Sequence, residues 1–216
     1  YADLLLGSPD GISAEELRVS LESIKSGSDR LARLVESSVL AIMLDSGQAA
    51  EEYALVARVD GLLGLYVQQA ADLLRDLAAG RNVRVTVDLP HSFPNVETAP
   101  RYIYEAFIRI IENGIKFSRP AADSWVKVTA EIRQDEVEII VADNGVGIPQ
   151  DQLERIFGPL IQIERALQEQ QGIGLGLSVA QGLIRLHGGR VWADSMPGEG
   201  TRIHVILPVA EAEDTD

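Results

Sequence analysis

The sequence predicts an α+β domain, with helices on one face of a mixed sheet, that follows a helical hairpin segment. Two observations lead to this prediction. A sustained heptad pattern of apolar residues occupies the N-terminal part of the chain, and short alternating strands interspersed with helical stretches occupy the rest. With 216 residues, of which 46% are hydrophobic, the chain is large enough for both parts and for a sizeable core.

The N-terminal segment is predicted to form two helices. The chain opens with the last turns of one helix and a turn at Gly7 to Gly11, and Ser13 with Glu16 has the spacing of a capping box for a second helix that ends at Gly47. We favour a hairpin that dimerises into a four-helix bundle, and the alternative is a helix that packs on its own domain. The apolar seam of the second helix consists of Leu17, Leu21, Ile24, Ser28, Leu31, Val35, Ser38 and Ile42.

The remaining elements follow from alternation, helical periodicity and turn residues. In chain order, the sequence predicts a strand at 51–59, a helix at 60–79 with Gly80 after its end, a strand at 83–87, a loop at 90–100, a helix at 101–117, strands at 126–132 and 137–142, a lid-like stretch at 149–171, a helix at 178–187, and a hairpin of strands at 190–195 and 202–207. The predicted organisation is therefore a helical segment at 1–48, one domain at 51–208 and an acidic tail at 209–216.

The composition excludes several classes of partner and of chemistry. The formal net charge of −14 argues against a nucleic acid or an anionic membrane surface as a partner, because both attract clustered positive charge. A nucleotide remains compatible, since backbone N–H groups and a metal ion can hold its phosphates. The lack of cysteine excludes disulfides and thiolate chemistry. No apolar run approaches the roughly 20 residues that span a bilayer, and no signal peptide is evident, so we expect a cytoplasmic location without membrane contact.

The strongest local motif is Asp143-Asn144-Gly145-Val146-Gly147-Ile148, directly after an apolar strand. A carboxylate at a strand end can accept a hydrogen bond from an exocyclic amine such as that of adenine. Gly145 and Gly147 allow the backbone to turn sharply and to approach a planar ligand. Taken alone, Asp-Asn-Gly is also an ordinary turn sequence.

A second motif, Gly172-Ile173-Gly174-Leu175-Gly176-Leu177, opens a predicted helix. Alternating glycines expose successive N–H groups to phosphate oxygens, and the helix N-terminus adds partial positive charge. A flexible hinge is the alternative. A dinucleotide-binding turn fails on context, because the polar run Gln168 to Gln171 precedes the glycines in place of a buried parallel strand.

The third motif, Glu112 to Phe117, lies on a predicted helix. The amide oxygen of Asn113 suits a Mg²⁺ ion that bridges phosphates, Lys116 is placed to neutralise phosphate charge, and Phe117 is placed to cover a base. In isolation, the motif is better explained by a solvated Asn113 and Lys116 and a core Phe117.

In this order along the chain, the motifs resemble the GHKL superfamily, and within it the sensor histidine kinases. Asn113 to Phe117 resembles their N box, Asp143 to Gly147 the first glycine box, and Gly172 to Leu177 the second. Further resemblances are Ile156 to Pro159 with the F box, and His187-Gly188-Gly189, Trp192, Gly198 to Thr201 and Leu207-Pro208 with the usual end of the domain.

The resemblance implies a Bergerat-type two-layer α/β sandwich that holds ATP and Mg²⁺. At the matching positions, Asn113 would ligate Mg²⁺, Asp143 would bind the adenine amine, and Thr201 would reach Asp143 or the base through water. The phosphates would lie beside Lys116 and the glycine run, under a mobile lid. The positions expected to bind the nucleotide are Asn113, Lys116, Phe117, Asp143, Gly145, Gly147, Ile148, Phe157, Gly172, Gly174, Leu175, Gly176, Leu177 and Thr201.

One departure from the family pattern concerns the N box. Arg109 stands one helical turn before Asn113, where the family usually has Asn or Glu. A guanidinium does not deprotonate and so cannot act as a general base, although it can neutralise phosphate. The catalytic candidates are Asn113, Arg109 and Lys116. The arginine is expected to affect catalysis more than binding.

The other departure concerns the phosphoacceptor of the family, a histidine in a His-Glu-x-x-x-Pro-like context. None of the three histidines, His91, His187 and His204, has that context, and we interpret His187 as a structural residue at a helix end. Because Tyr1 to Leu6 resembles the helix just after such a motif, we expect the acceptor to precede Tyr1. The alternative is a protein that lacks an acceptor.

Three functions are compatible with these features. The first is the ATP-binding core of a homodimeric sensor histidine kinase that passes the γ-phosphate to its own histidine and then to an aspartate of a response regulator. The second is a degenerate, nucleotide-sensing module without phosphotransfer. The third is an ATP-hydrolysing clamp of the topoisomerase or chaperone kind, which is disfavoured because Arg109 replaces the carboxylate that would activate water and because the lid is short.

Overall fold

The computed structural model of the chain describes residues 13–119, 123–158 and 175–210. The chain divides into two compact units, residues 1–39 and residues 40–216, and the boundary falls within a long first helix. The start of this helix confirms the capping box. The Ser13 N–H donates to Glu16 Oε2 at 2.9 Å, and the Glu16 N–H donates to Ser13 Oγ at 3.2 Å. The helix and the turn predicted before Ser13 lie outside the described residues.

The described residues form six α-helices and seven strands. The helices are α1 (Ala14–Asp45), α2 (Gln48–Val56), α3 (Leu63–Leu73), α4 (Arg75–Gly80), α5 (Pro100–Lys116) and α6 (Gly176–Leu186). The strands are β1 (Arg58–Asp60), β2 (Arg84–Asp88), β3 (Val96–Thr98), β4 (Trp125–Ile132), β5 (Glu136–Asp143), β6 (Arg190–Met196) and β7 (Gly200–Pro208). Two short 3₁₀ turns, Gln150–Gln152 and Arg155–Phe157, occupy the described part of the predicted lid. None of the helices in these ranges is both long and apolar enough to cross a membrane.

A mixed five-stranded sheet forms one layer of the domain. Its strand order is β2-β4-β5-β7-β6, in which β2 and β4 run parallel and all other neighbours run antiparallel. Alternate residues of the central strands are fully buried, as at Val137 and Ile139 of β5 and Val205 and Leu207 of β7. Helices α5 and α6 cover this face with their own buried apolar residues. The predicted α+β sandwich, with helices on one face of a mixed sheet, is therefore confirmed.

The strand predicted at 51–59 is wrong. Residues 48–56 form helix α2, and only Arg58–Asp60 is extended. The segment is rich in alanine and glutamate, which favour a helix, and the fully buried Ala49 packs α2 into the core. Helix propensity and the packing of Ala49 therefore decide the conformation of this segment, and Leu55 is left 85% exposed.

Three neighbouring predictions also need correction. The helix at 60–79 is interrupted at Leu74, so α3 and α4 are separate elements. Gly80 is the last residue of α4, and the left-handed conformation falls instead on Asn82, with φ of 57°. The loop at 90–100 contains strand β3, which pairs antiparallel with β1, and Pro100 already belongs to α5. A three-residue strand paired with a distant segment leaves no local period in the sequence.

His187 joins three elements at the end of α6. Its Nδ1 bonds the Leu183 carbonyl oxygen at 2.7 Å, and its Nε2 accepts the Ala99 N–H at 3.1 Å, so the ring is the neutral Nδ1–H tautomer. The ring also meets the edge of Tyr53 of α2, with centroids 4.9 Å apart. Ala99 directly precedes α5, so this buried side chain connects α6, α5 and α2. The interpretation of His187 as structural agrees with this environment.

Stability should depend on pH through His187. Burial lowers the pKa of His187 below its usual 6.5, because a charged ring is desolvated there. At pH values between the folded and the unfolded pKa of His187, the unfolded chain binds more protons than the folded chain. The contribution of the neutral ring to the free energy of unfolding is therefore complete above about pH 6.5 and is lost as pH falls through the folded pKa. The slope is at most about 1.4 kcal/mol per pH unit. Thermal unfolding from pH 8 to pH 5 should show a shallower acid loss in His187→Gln than in the parent. Exchange of the exposed His91 for Gln is the control, and an identical profile for parent and His187→Gln would contradict the assignment.

Candidate functional site

Asp143 is the centre of the candidate site. It ends β5, where its neighbours across the sheet are Val126 of β4 and Thr201 of β7. Its Oδ1 accepts the N–H of Gly145 at 2.8 Å and the N–H of Thr201 at 3.3 Å. Burial raises the pKa of Asp143 to about 6, and the two backbone hydrogen bonds offset part of that rise. The result is a desolvated carboxylate, anchored through one oxygen, that is mostly ionised at neutral pH.

The glycines after Asp143 let the backbone pass where a side chain would not fit. A Cβ on Gly145 would overlap the carbonyl oxygen of Phe117. Gly147 has φ of 71°, and a Cβ there would overlap the carbonyl oxygen of Met196. Between them, the Val146 N–H donates to the Phe117 carbonyl oxygen at 3.2 Å. The loop after β5 is therefore held between the end of α5 and the end of β6.

Helix α5 approaches the sheet closely at Gly114. A Cβ at Gly114 would lie 3.2 Å from Val126 Cγ2 and 3.6 Å from Asp143 Cβ. This contact brings the C-terminal turns of α5 to the end of β5. Asn113 and Phe117, both half-buried, are on these turns, so the structure brings the first glycine box and the predicted N box together.

Both basic candidates on α5 are paired with carboxylates one turn earlier. Lys116 Nζ lies 2.9 Å from Glu112 Oε1, and Arg109 Nη2 lies 2.7 Å from Glu105 Oε1. Spacing of four residues aligns each pair on the helix surface, with the acidic residue first, which is the more favourable order. The side chain of Arg109 is 9% exposed, so this charge sits in a confined setting and not in bulk solvent.

Ser195 was not anticipated from the sequence. Its hydroxyl donates to the Gly200 carbonyl oxygen at 2.6 Å, accepts the Ile148 N–H at 2.8 Å, and lies 3.0 Å from Thr201 Oγ1. It thereby ties the end of the first glycine box to the β6–β7 turn. Ser195 is 47 residues from Ile148, so no local spacing could have indicated the contact.

The side chains of Asn144 and Arg119 also form hydrogen bonds with backbone groups around the site. Asn144 Oδ1 accepts the Trp125 N–H at 2.8 Å, and its Nδ2 donates to the Asp123 carbonyl oxygen at 3.0 Å. Arg119 Nε donates to the Gly145 carbonyl oxygen at 3.1 Å. The Asp-Asn-Gly sequence signalled a turn residue at 144, but not this link to the start of β4.

The remaining predicted residues are only partly described. Leu175 precedes α6, Gly176 is its first residue, and Leu177 is buried in its first turn. Phe157 is buried in the second 3₁₀ turn, and Ile148 packs against the core. Gly172, Gly174 and most of the predicted lid lie outside the described residues.

The comparisons with known proteins add to this geometry. Residues 98–211 match the family of histidine kinase-, DNA gyrase B-, and HSP90-like ATPases. The chain belongs to this ATPase family. The matched range holds the end of α5, the first glycine box and the β6–β7 hairpin, which are the parts that meet at Asp143.

The ATPase domain has curated relatives among sensory kinases. It is 34% identical over 137 residues to the adaptive-response sensory kinase SasA of Prochlorococcus marinus, covering 63% of this chain and 36% of that protein. It is 28% identical over 175 residues to SasA of Crocosphaera subtropica, covering 81% of this chain and 45% of that protein. The chain thus spans less than half the length of these relatives. The predicted resemblance to the catalytic domain of sensor histidine kinases is confirmed.

A solved structure supports the fold of the ATPase domain. Full-length ShkA in complex with AMPPNP aligns with a TM-score of 0.72 at 23% identity, over 95% of this chain and 41% of that one. At this identity the likeness concerns the fold alone.

Proposed function

We propose that this ATPase domain binds Mg²⁺-ATP as the core of a sensor histidine kinase. In this proposal the γ-phosphate passes to a histidine other than the three in this sequence, and then to an aspartate of a response regulator. The observation that carries the proposal is the buried Asp143 carboxylate, anchored by backbone N–H groups within a shell of glycines. Such a group is costly to desolvate, and a ligand that donates a hydrogen bond to it recovers part of that cost.

The adenine end of the site is assigned to Asp143. Both backbone hydrogen bonds go to Oδ1, so Oδ2 is the oxygen that we assign to the adenine amine. Gly145 and Gly147 let the backbone after Asp143 pass directly against the carbonyl oxygens of Phe117 and Met196, which fixes the loop beside the carboxylate. Phe117, half-buried at the end of α5, is placed to cover the ring.

The phosphate end is assigned to α5 and to the start of α6. Asn113 supplies a neutral oxygen for Mg²⁺, which takes most of its remaining ligands from phosphates and water in sites of this kind. When bound, Mg²⁺ neutralises charge on the transferred phosphoryl group. Lys116 is held by Glu112 until phosphate oxygens compete for its ammonium group. The N-terminus of α6 adds partial positive charge near Gly176.

The histidines of this chain support an acceptor elsewhere. His187 is buried, with both ring nitrogens hydrogen-bonded. His204 Nδ1 lies 2.8 Å from Glu138 Oε1, and its Nε2 lies 3.2 Å from Asp194 Oδ2. His91 is in a surface loop, far in sequence from the dimerisation helix on which the family carries its acceptor.

A homodimer through α1 is part of the proposal. Several seam residues of α1 are solvent-exposed, including Leu21 at 53%, Leu31 at 63% and Val35 at 52%. A heptad seam of exposed apolar side chains is stabilised when it packs against other helices.

One observation favours the second candidate, a nucleotide-sensing module without transfer. The polar residue that the family carries one turn before the metal ligand is replaced by the enclosed, ion-paired Arg109. This change removes an uncharged or acidic side chain that could handle a proton, while the binding features at Asp143 are retained.

Two measurements test the proposal. Calorimetric titration of the chain with ATP in Mg²⁺ should show saturable binding to one site, and a lack of binding would refute the site assignment. Incubation with γ-labelled ATP of a protein that carries an acceptor-histidine helix ahead of these residues should label that histidine. ATP binding without any label would favour the sensing module.

A further inference from the structure

Three residues form a row across the ends of strands β5, β7 and β6. Thr201 of β7 pairs with Asp143 of β5 on one side and with Ser195 of β6 on the other. Residues directly opposite each other in an antiparallel pair project from the same face of the sheet, with Cβ atoms about 5 Å apart. Thr201 therefore lies between the carboxylate of the proposed adenine site and the hydroxyl of Ser195.

The hydroxyl of Ser195 uses its single proton on a backbone carbonyl. Ser195 Oγ donates to the Gly200 carbonyl oxygen at 2.6 Å, and a hydroxyl has only one proton to donate. Toward its other neighbours Ser195 Oγ can therefore only accept. It accepts the Ile148 N–H at 2.8 Å, and its remaining lone pair is available to the Thr201 hydroxyl, whose oxygen lies 3.0 Å away.

This hydrogen bonding fixes the direction of the Thr201 hydroxyl. Within the described residues, Ser195 Oγ is the hydrogen-bond partner of Thr201 Oγ1. Because Ser195 has no second proton, Thr201 is the donor of this bond, and its proton points to Ser195 and away from Asp143. Thr201 is 7% exposed, so bulk water competes little for that proton. The lone pairs of Thr201 Oγ1 are left to a ligand.

These lone pairs lie next to the free oxygen of Asp143. The Thr201 N–H donates to Asp143 Oδ1 at 3.3 Å, so the carboxylate is held against the same residue that carries the hydroxyl. Oδ2, the oxygen assigned to the adenine amine, belongs to the same carboxylate. The site thus offers two neighbouring acceptors to a base, Asp143 Oδ2 and Thr201 Oγ1.

We propose that Ser195 makes the site selective for a 6-amino purine by holding the Thr201 hydroxyl as an acceptor. This inference rests on the proposed function, in which the base lies at Asp143. The exocyclic amine of adenine has two N–H donors, one for each acceptor, whereas a 6-oxo purine has an acceptor at that position. Thr201 touches the base, and Ser195 acts only through Thr201, so Ser195 is a positioning residue.

The test compares the dissociation constants of ATP and of ITP, whose base is the 6-oxo purine hypoxanthine. Both are measured with Mg²⁺ at pH 7.5 by calorimetric titration of the chain, with ITP followed by displacement of ATP. The parent should prefer ATP at least about 100-fold, because ITP leaves buried acceptors unpaired. Ser195→Ala frees the Thr201 hydroxyl to turn and donate to the 6-oxo group. This variant should weaken ATP about fivefold, strengthen ITP and lower the preference at least about tenfold.

Thr201→Val separates the loss of the acceptor from the turning of the donor. Valine is close in shape to threonine but has no hydroxyl, so the variant should weaken ATP about fivefold and leave ITP nearly unchanged. Addition of Ser195→Ala to Thr201→Val should change the preference less than about twofold, because the hydroxyl that Ser195 orients is already gone. Ser124→Ala is the matched control. The Ser124 hydroxyl also donates to a carbonyl oxygen at 2.6 Å, that of Arg119, and its loss should leave the preference unchanged.

The preference for ATP over ITP distinguishes this role from a structural one. Equal weakening of both nucleotides in Ser195→Ala would mean that Ser195 only holds the β6–β7 turn, and it would overturn the inference. An unchanged preference in Thr201→Val would do the same, even if Ser195→Ala failed to fold, and so would a parent that binds ATP and ITP equally. A parent that binds neither nucleotide would refute the proposed function itself.

Discussion

Replacement of Asp143 by asparagine should greatly weaken ATP binding while leaving the fold at least as stable as that of the parent. Asparagine retains an oxygen that can accept the Gly145 and Thr201 N–H groups, which the carboxylate accepts at 2.8 Å and 3.3 Å. At the second position it presents an NH₂ group, which is a donor facing the donor of the adenine amine. Because two donors then face each other in a buried site, the affinity for ATP should fall at least about 100-fold.

The stability of Asp143→Asn follows from the raised pKa of the carboxyl group. With a folded pKa of about 6 against an ordinary 3.8, the folded chain binds more protons than the unfolded chain between these values. The parent therefore loses stability as pH rises through this window, and the loss persists above pH 6. Asparagine has no charge to desolvate, so the free energy of unfolding of Asp143→Asn should exceed that of the parent by on the order of 2 kcal/mol at pH 8.

Calorimetric titration with ATP and thermal unfolding at pH 8 measure the two effects. Asp88→Asn, at a carboxylate that is 73% exposed, is the control and should alter neither. Protonation of Asp143 should have a related consequence in the parent, whose ATP affinity should decline as pH falls through about 6. If the ATP affinity of Asp143→Asn stayed within tenfold of that of the parent, the Asp143 carboxylate would not be the group that binds the adenine base.

Replacement of Gly200 by alanine should cause the largest loss of stability among the glycines of the β6–β7 turn. Gly200 has φ of 101°, and a Cβ there would overlap the carbonyl oxygen of Asp143. Strain in the left-handed region and overpacking against backbone together should cost about 3–4 kcal/mol, or roughly 10 °C in melting temperature. The displaced strand end should also impair ATP binding.

Gly198 offers a matched control in the same turn. Its φ is 83°, but a Cβ there meets nothing within 4 Å. Gly198→Ala should therefore cost only the backbone strain, about 1 kcal/mol, and should retain ATP binding. Differential scanning calorimetry of both variants makes the comparison, and equal melting temperatures would contradict the role of the close contact with Asp143.

The elements that the sequence predicted well are those with a strong local pattern. Helix α5 carries a clear amphipathic period, strands β4 and β5 alternate, and Ser13 with Glu16 forms the capping box at the expected spacing. The motif at Asp143 was recognisable because its glycines stand where the backbone is crowded. A Cβ at either position would overlap a neighbouring carbonyl oxygen, so only glycine fits there. Local chemistry was sufficient in these places.

The features that escaped prediction depend on distant partners. Strand β3 exists because it pairs with β1, and helix α2 is held by burial of Ala49. The bond between His187 and Ala99 spans 88 residues, so the role of that histidine could be expected only in outline. Side-chain contacts of this kind are set by how elements stack, and the spacing of residues within one element carries no record of them.

The hydrogen bond between Asp143 and the Thr201 N–H joins residues 58 positions apart, and it has a kinetic consequence. A contact of that separation requires the closure of a long loop before it contributes any stability, so it should form late as the chain folds. Weakening it should accelerate unfolding and leave the folding rate nearly unchanged. A nucleotide bound at Asp143 would stabilise this late-forming part of the domain. The stabilisation should therefore appear mainly as slower unfolding, so the chain should resist proteolysis and heat inactivation for longer.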